Sequence, residues 1–315
     1  MAADKRVNLI RRLADEAGFE CVGIGLAAPI RYLDYFHDWL SRGYVGRMDY
    51  LGRLKDLRAD PRKLLDGARS IIVVAHNYYQ GSADKSSADD DNEQRGDCRG
   101  RVARYSWGAD YHQLIHAKLH RMVEILREKL DEPFDSRICV DTAPLMEREA
   151  AAAAGIGWIG KNTMVLNRKL GSFFFLGEIV TTLDLPPDGP ATDGCAACKR
   201  CLEACPTGAL LGPYQMDASR CISYLTIEHR DDIAADLRPL MANWVYGCDL
   251  CQEVCPYNRK TPTTNESAYK PVAGNPLVPY PGLRELMDLS EEDYAKYLTG
   301  SAMKRATRRM LKRNA

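Results

Sequence analysis

Eight of the 11 cysteines are concentrated in the second half of the chain, in two runs that each end in Cys-Pro. The first run comprises Cys195, Cys198, Cys201 and Cys205, and the second comprises Cys248, Cys251 and Cys255, with Cys221 alone between them. The first run has the C-x2-C-x2-C-x3-C-P spacing with which bacterial ferredoxins bind 4Fe–4S clusters. The pattern predicts two 4Fe–4S clusters, whose chemistry is the transfer of single electrons.

In such ferredoxins the fourth cysteine of a run ligates the other cluster, and this rule assigns the ligands. The predicted ligands of cluster one are Cys195, Cys198, Cys201 and Cys255. The predicted ligands of cluster two are Cys205, Cys221, Cys248 and Cys251. Structural zinc sites use two pairs of cysteines rather than a tight triplet followed by Cys-Pro, and disulfides require an oxidising compartment, for which we recognise no secretory signal.

The composition favours a folded protein of the cytoplasm. The 315 residues are 45% hydrophobic and carry a formal net charge of zero, yet no apolar stretch approaches the ~20 residues that a membrane-spanning helix needs. Cys21, Cys98 and Cys139 lie outside the cluster runs, and an odd number of further thiols agrees with a reducing compartment. The acidic, Ser/Gly-rich stretch 81–100 is predicted to be a solvated loop.

Helix and strand patterns alternate over the first 185 residues, which predicts an α/β or α+β sandwich. Apolar residues at helical spacing mark a first helix that ends near Gly18, and 111–130 reads as a long amphipathic helix. The segments 19–25, 71–75, 137–140 and 173–181 read as strands, and an Ala-rich helix is predicted around 147–154. The Pro/Gly-rich stretch 186–190 predicts a linker. We therefore expect domains at 1–187, 188–262 and 263–315.

The glycine-rich segment Gly155–Asn162 imitates two nucleotide-binding motifs. It matches G-x-G-x-x-G, but it follows a helical pattern instead of a strand. It also approaches G-x4-G-K-[ST], but Asn162 replaces the hydroxyl residue that binds magnesium. The segment instead predicts a turn at which Trp158 and Lys161 can approach a large ligand closely.

Four strings, together with the two cysteine runs in this order, resemble the epoxyqueuosine reductase family over roughly residues 5 to 315. The strings are RYSWGADYH (104–112), VDTAPLMERE (140–149), GIGWIGKNTMVLN (155–167) and FFFLGEI (173–179). The resemblance implies reduction of an epoxide on a modified guanine at the tRNA wobble position, the last step to queuosine. It implies cobalamin and two 4Fe–4S clusters as cofactors.

The resemblance also implies an α+β architecture. A nitroreductase-like cobalamin-binding domain would be followed by a bacterial-ferredoxin-like two-cluster domain and a C-terminal helical segment. Longer members of the family continue into a HEAT-like repeat, and 263–315 is expected to be the start of one. The implied partners are the tRNA and an external electron donor such as a flavodoxin, a ferredoxin or a reductase. We expect a monomer with no membrane association.

The resemblance places Asp141 at the proton donor. Opening an epoxide requires a proton, and an apolar pocket can hold a carboxyl group protonated near neutral pH. The alternative is a helix N-cap, because Asp141 ends a predicted strand before a predicted helix. The candidate corrin contacts are Arg62, Arg104, Tyr105, Asp141, Trp158, Lys161, Asn162 and Ser172.

No histidine is predicted to ligate cobalt. The D-x-H-x-x-G signature of a histidine ligand fails at its last position, because Ile115 stands where Gly is required. The six histidines are therefore expected to be ordinary helix or surface residues. An unligated lower face would favour four- or five-coordinate cobalt.

The chain ends in a basic segment that predicts a nucleic-acid surface. Lys304, Arg308 and Lys312 recur at helical spacing, and Arg305, Arg309 and Arg313 form the adjacent row. On one helix these rows would form a basic stripe facing the tRNA, with Lys304, Arg305, Arg308 and Arg309 as its expected contacts. The alternative is a solvated, frayed terminus.

Two other functions remain open. A corrinoid enzyme of the reductive dehalogenase type would use the same cofactors on small halogenated molecules, but such enzymes usually carry a twin-arginine signal. A ferredoxin-type electron carrier would need the clusters, but it would leave some 185 residues of the first domain without a purpose.

Overall fold

A computed structural model of the chain describes residues 3–81 and 98–315, so the acidic stretch at 81–100 lies largely outside the described residues. The strands are β1 (Cys21–Leu26), β2 (Ser70–Asn77), β3 (Arg101–Val102), β4 (Ser136–Cys139), β5 (Trp158–Ile159), β6 (Val165–Leu166), β7 (Phe174–Thr181), β8 (Leu210–Gly212), β9 (Gln215–Met216) and β10 (Trp244–Tyr246). No helix within the described ranges has the length and apolar character to cross a membrane.

The α-helices vary in length from one to five turns. They are α1 (Ala3–Glu16), α2 (Leu33–Ser41), α3 (Asp49–Arg53), α4 (Lys55–Ala59), α5 (Tyr111–Lys129), α6 (Glu147–Ala153), α7 (Arg200–Glu203), α8 (Ile222–Ile227), α9 (Leu250–Glu253), α10 (Leu283–Met287), α11 (Glu291–Leu298) and α12 (Arg308–Asn314). Short 3₁₀ segments lie at Pro61–Lys63, Arg104–Ser106, Ala218–Arg220, Arg238–Met241, Pro256–Lys260, Ser267–Tyr269 and Ala302–Arg305.

A four-stranded antiparallel sheet in the order β1-β2-β7-β4 forms the centre of the first part of the chain. Every residue of β2 is buried, which explains its continuous apolar sequence, because helices cover both faces of the sheet. The predicted helix and strand positions agree with these elements to within about two residues. The mixed helix-and-sheet character of the fold is confirmed.

The two faces are covered by different kinds of helix. The long helices α1 and α5 bury their apolar faces against one side of the sheet. The Ala-rich helix α6 covers the other side and lies very close to β1. A Cβ atom at Gly23 would come within 2.1 Å of the Ala154 carbonyl oxygen, so only glycine fits there. This contact fixes α6, and with it the loop that precedes α6, against the sheet.

The cysteine-bearing part of the chain and its C-terminal segment share packing with the first part. Strand β10 pairs in parallel with β3, which joins 244–246 to 101–102. Helices α10, α11 and α12 pack in one apolar cluster with Trp107, Val245 and Tyr246. The cysteine-bearing segment is therefore attached to the first part of the chain both by strand pairing and by packing of the C-terminal helices. The HEAT-like character of 263–315 stays a prediction.

The prediction of one continuous basic helix at the C-terminus is wrong. Residues 302–305 form a 3₁₀ turn, the chain extends at Ala306, and Thr307 then caps α12 by accepting a hydrogen bond from the Met310 amide. The break buries Met303, Ala306 and Met310 in the same apolar cluster. The free energy gained by burying this apolar surface thus outweighs that of the single continuous helix that the charge spacing suggested.

Candidate functional site

The fold places the cysteines of each predicted set within electrostatic range of one another, and their roles as cluster ligands stay a prediction. Burial raises the pKa of the Cys255 thiol, and the neighbouring Cys195 and Cys198 raise it further. Burial likewise raises the pKa of Cys201, with Cys195 and Cys255 as its charged neighbours. Cys255 therefore lies with the first run, although 50 or more residues separate it from that run along the chain. This is the arrangement expected for cluster one.

The second set gathers around the isolated Cys221. Burial raises the pKa of Cys248, and the charges of Cys221 and Cys205 raise it as well. Burial raises the pKa of Cys251, and the neighbouring Cys248 and Cys221 raise it further. Within residues 3–81 and 98–315 no three His, Cys, Asp or Glu side chains have the geometry of a single-ion site. Two sets of four thiols are the donor set that two 4Fe–4S clusters use.

The predicted glycine-rich turn holds the loops that carry these cysteines. Strands β5 and β6 form a hairpin, and the Lys161 ammonium at its tip donates hydrogen bonds to the carbonyl oxygens of Ala196 and Cys198, the latter at 3.0 Å. The Asn162 side-chain amide donates to the carbonyl oxygen of Cys251 at 3.3 Å. The turn thus contacts the cysteine-bearing loops, and its approach to a large ligand stays a prediction.

Arg104 and Ser172 also contact the cluster-bearing segments. Arg104 is buried, and its Nη1 lies 3.1 Å from Asp249 Oδ2 and 2.7 Å from Glu253 Oε1. Asp249 lies between two cysteines of cluster two, and its own burial raises its pKa while Arg104 lowers it. The Ser172 hydroxyl donates to Gln252 Oε1 at 2.9 Å. A corrin contact for these residues and for Lys161 and Asn162 stays a prediction.

The other candidate corrin residues differ in their freedom to bind a ligand. Arg62 is exposed and pairs with Asp60 at 2.7 Å. Tyr105 is half-buried, and burial followed by the neighbouring Tyr246 raises its pKa. Trp158 is buried beside Tyr257 and the cluster-one cysteines, and its Nε1 has no partner within the described residues. The Trp158 indole therefore retains an unused hydrogen-bond donor.

Asp141 lies in the loop between β4 and α6, in an unusual backbone conformation. Its φ is +55°, in the left-handed region that Asp tolerates better than most residues. The N-cap position of α6 belongs to Met146, so the alternative role of Asp141 as a helix cap is wrong. The Asp141 side chain is 59% exposed, and its Oδ2 lies 3.2 Å from Nε2 of His112. The loop thus presents a carboxyl group to a histidine.

The charges around this pair favour an ionised Asp141. Desolvation would raise the pKa of Asp141, but hydrogen bonds from His112 and Tyr111 and the charge of Arg148 lower it below its ordinary value. Burial would lower the pKa of His112, but its bonds with Asp141 and Asp110 raise it. The pKa of Asp141 is thus lowered rather than raised by its surroundings, and its role as proton donor stays a prediction. These opposite pKa shifts favour an ion pair between the two side chains.

Two further carboxyl groups lie behind the loop. Glu147 begins α6, and its Oε1 accepts a hydrogen bond from the backbone amide of Asp141. Burial, followed by the charge of Asp141, raises the pKa of Glu147 to about 7. Glu178 lies in the middle of β7 with no exposed surface, and burial followed by Glu147 raises its pKa well above the ordinary range. The loop is thus backed by two carboxyl groups whose pKa values are raised.

Two arginines link the Asp141 loop electrostatically to Cys221 and to the C-terminal segment. Arg148, whose Nη1 donates to the Thr163 carbonyl oxygen at 2.7 Å, lies within the electrostatic range of both Asp141 and Cys221. Arg305 pairs with Glu228 at 2.8 Å and stacks over Tyr50. The bond with Glu228, and to a smaller extent the charge of Asp141, raise the pKa of Arg305. A cavity of about 850 Å³, lined in part by His112 and Thr142, opens beside the loop.

Two of the four predicted tRNA contacts already form ion pairs within the fold. Arg305 pairs with Glu228, and Arg308 Nε lies 2.6 Å from Glu291 Oε1. Lys304 and Arg309 are exposed and form no ion pair with any residue that the structure describes. A tRNA contact stays a prediction for all four residues.

Sequence reasoning missed His112, Glu147 and Glu178. All six histidines were expected to be ordinary, but His112 is not, because α5 places it opposite Asp141. The sequence does contain a signal for Glu178, because a lone Glu within an apolar strand must be buried and is therefore functional or paired. Glu147 lies in one of the strings that carry the family resemblance, but its helix-start position is common for Glu and indicated no role of its own.

Comparisons with known proteins agree with this site. A family profile described as "4Fe-4S double cluster binding domain" matches residues 194–258, and one described as "Epoxyqueuosine reductase QueG, DUF1730" matches residues 58–142. An epoxyqueuosine reductase of Cyclobacterium marinum is 38% identical over 314 residues, which cover 99% of this chain and 96% of that protein.

Two solved structures are similar along nearly the whole chain. One is an epoxyqueuosine reductase with an epoxyqueuosine-modified tRNA-Tyr stem loop, with a TM-score of 0.88, 30% identity and coverage of 99% of this chain and 80% of that one. The other, from Bacillus subtilis, has its catalytic aspartate loop swung out of the active site, with a TM-score of 0.88, 29% identity and the same coverage. The chain belongs to the epoxyqueuosine reductase family.

Proposed function

We propose that this chain reduces the epoxide of epoxyqueuosine at the tRNA wobble position, which gives queuosine. The observation that carries the proposal is the Asp141–His112 pair, which lies on the cluster-two side of a chain of this family. A relative of similar fold has been solved with an epoxyqueuosine-modified tRNA stem loop. A second relative has a catalytic aspartate loop, which supports a catalytic role for Asp141.

The reaction requires two electrons and two protons. The two C–O bonds of the epoxide break, a C=C bond forms, and the oxygen leaves as water. The two clusters supply the electrons one at a time. Nε2 of His112, 3.2 Å from Asp141 Oδ2, passes its proton to the Asp141 carboxylate, which gives it to the epoxide oxygen. His112 then takes the second proton from solvent and passes it along the same path. In this role Asp141 needs no raised pKa of its own, because the imidazolium of His112 stores the proton.

The residues around Asp141 are compatible with cobalamin. Cobalamin, when bound, would supply a redox-active cobalt centre for the two-electron reduction of the epoxide. The buried Arg58, whose Nε has no partner among the described residues, and the unpaired Nε1 of Trp158 can hydrogen-bond corrin side chains. No histidine is placed as a cobalt ligand by this proposal, since His112 is engaged by Asp110 and Asp141.

We further infer a nitroreductase-like first domain at 1–187, a ferredoxin-like domain at 188–262 and a helical segment at 263–315. A modified base must leave the anticodon stack to reach Asp141, and contacts with the RNA backbone must offset that cost. The reductase would act in the cytoplasm, where its tRNA is found, as a monomer that takes electrons from a flavodoxin, a ferredoxin or a reductase.

The test is anaerobic reconstitution of the full chain with iron, sulfide and cobalamin, followed by an assay on epoxyqueuosine-containing tRNA. We expect one queuosine per epoxyqueuosine consumed, detected in nucleoside digests by mass spectrometry. Halogenated phenols serve as the competing substrates, and a redox partner protein serves as the competing electron acceptor. Dehalogenation, or electron transfer to the partner without queuosine, would contradict the proposal.

A further inference from the structure

The carboxyl group of Glu178 has no role in the reaction described above. It lies at the centre of β7, between Val73 of β2 and Cys139 of β4, and has no exposed surface. Neither of its oxygens accepts a hydrogen bond from a donor within the described residues. A buried carboxylate without a donor is costly, so this group must carry its own proton or share one.

The polar neighbour of Glu178 is the carboxyl group of Glu147. Two carboxyl groups can hydrogen-bond each other only when one of them is protonated. Glu147 is also bonded on its other side, because its Oε1 accepts the backbone amide of Asp141. With one proton between the two carboxyl groups, a chain of hydrogen bonds would lead from the centre of the sheet to the backbone of the Asp141 loop.

We propose that Glu178 and Glu147 share one proton, and that this pair latches the Asp141 loop in the conformation that presents Asp141 to His112. The inference deepens the proposed function and rests on it for the role of Asp141. A protonated Glu178 donates to Glu147, and the negative charge left on Glu147 strengthens its bond with the Asp141 amide. The latch offsets the cost of the left-handed backbone at Asp141, whose φ is +55°.

The charges around the pair keep it at one proton. The negative charge of Asp141 on the loop disfavours a second negative charge on the pair. The positive charges of Arg148 in α6 and Arg58 in α4 stabilise the one negative charge that the pair carries. Cys139 of β4 faces Glu178, and Tyr111 of α5 faces Glu147. Burial raises the pKa of both carboxyl groups, so the pair loses its shared proton only as the pH rises. Repulsion between two carboxylates then displaces Glu147 and frees the loop.

Hydrogen exchange in the cluster-loaded full chain, without cobalamin or tRNA, tests the latch. The readout is the protection of the Asp141 amide between pH 6 and pH 9, corrected for the intrinsic rate. We expect protection in the wild type to fall about 10- to 100-fold as the pH rises, the size of a lost hydrogen bond to a charged group. Glu147→Ala should lack that protection at every pH.

Glu178→Gln decides whether a shared proton matters. Its amide donates to Glu147 at any pH and so imitates the protonated acid, and we expect protection to persist up to pH 9. Glu149→Gln, on the same helix but bonded to the Arg31 amide, is the matched control and should behave as the wild type. If Glu178→Gln loses protection already at neutral pH, or if Glu147→Ala keeps it, the latch is wrong.

An infrared spectrum provides a second readout that does not depend on the loop. The wild-type minus Glu178→Gln difference at neutral pH should contain the C=O band of a protonated carboxyl group, which vanishes at alkaline pH. Absence of that band would overturn the shared proton. Both measurements need neither substrate nor cobalamin, so a protein that shows the latch but makes no queuosine would refute the proposed function alone.

Discussion

His112 Nε2 lies 3.2 Å from Asp141 Oδ2, although the two residues are 29 positions apart in the chain. Asp110 makes this contact possible, because its Oδ1 lies 2.6 Å from Nδ1 of His112 and also accepts the His112 backbone amide at the start of α5. With Nδ1 engaged by Asp110, the opposite nitrogen faces the Asp141 loop. The reacting carboxyl group and its proton source are thus fixed by separate elements.

Asp141→Asn should lower turnover about 10²- to 10⁴-fold, the range for loss of a positioned acid. Asn tolerates the left-handed backbone nearly as well as Asp, and Met146 rather than Asp141 precedes α6 as its cap, so the fold should persist. Turnover is measured by queuosine formation, with bound cobalamin and melting temperature as controls. Wild-type turnover in this variant would remove Asp141 from the mechanism.

The same substitution should lower the pKa of His112, which is measured from the pH titration of its ring signals by NMR. The pKa of His112 is raised in the folded state, so its stabilising effect is complete below the ordinary value of 6.5 and is lost as the pH rises through the folded value. Asp141 has a lowered pKa, so its effect is lost as the pH falls through a value below 3.8. The difference in unfolding free energy between wild type and variant should therefore be greatest between these limits. An unchanged His112 titration would contradict the pairing.

Cys221→Ser should remove cluster two and leave cluster one. The wild type should contain about eight irons and the variant about four, because a 4Fe–4S cluster needs four ligands. Cys98→Ser is the control, since Cys98 is exposed and lies outside both sets. Iron analysis and electron paramagnetic resonance of the reduced protein report the result. Zinc in place of iron after anaerobic purification would refute the cluster assignment.

Lys161→Met should weaken cluster one more than cobalamin binding. The buried ammonium group binds two carbonyl oxygens of the loop that carries Cys195 and Cys198, so its loss leaves both carbonyls unpaired. The rate of iron loss in air should rise, whereas Lys169→Met, at an exposed position nearby, should have no effect. If cobalamin is lost while cluster one keeps its wild-type lifetime, Lys161 is a corrin contact as the sequence suggested.

Lys304→Ala with Arg309→Ala should weaken tRNA binding and lower the slope of log affinity against log salt by about 1.5, because each lost phosphate contact contributes about 0.7 to 0.9. These two side chains are exposed and form no ion pair within the described part of the chain. Arg308→Ala is the comparison, since Arg308 pairs with Glu291 and its loss should affect stability more than the slope. An unchanged slope in the double variant would place the tRNA surface elsewhere.

The cluster ligands could be read from the sequence because their spacing is a local property. Three thiolates within seven residues must meet one cluster, whatever the rest of the chain does. The apolar periods of α1, α5, β2 and β7 were equally local, and these elements appear where they were predicted. The chain order of such patterns also determined the mixed architecture, since each element must bury one face.

The charge state of the site was decided by tertiary contacts. His112, Asp141, Glu147 and Glu178 belong to α5, a loop, α6 and β7, and no local pattern relates them. Their pKa values depend on burial and on neighbours that only the folded chain brings together. The basic C-terminus shows the same limit, because apolar packing at Met303 and Ala306 divided a segment whose charges alone suggested one helix. Spacing along the chain specifies ligands and periods, whereas protonation and pairing follow from proximity in space.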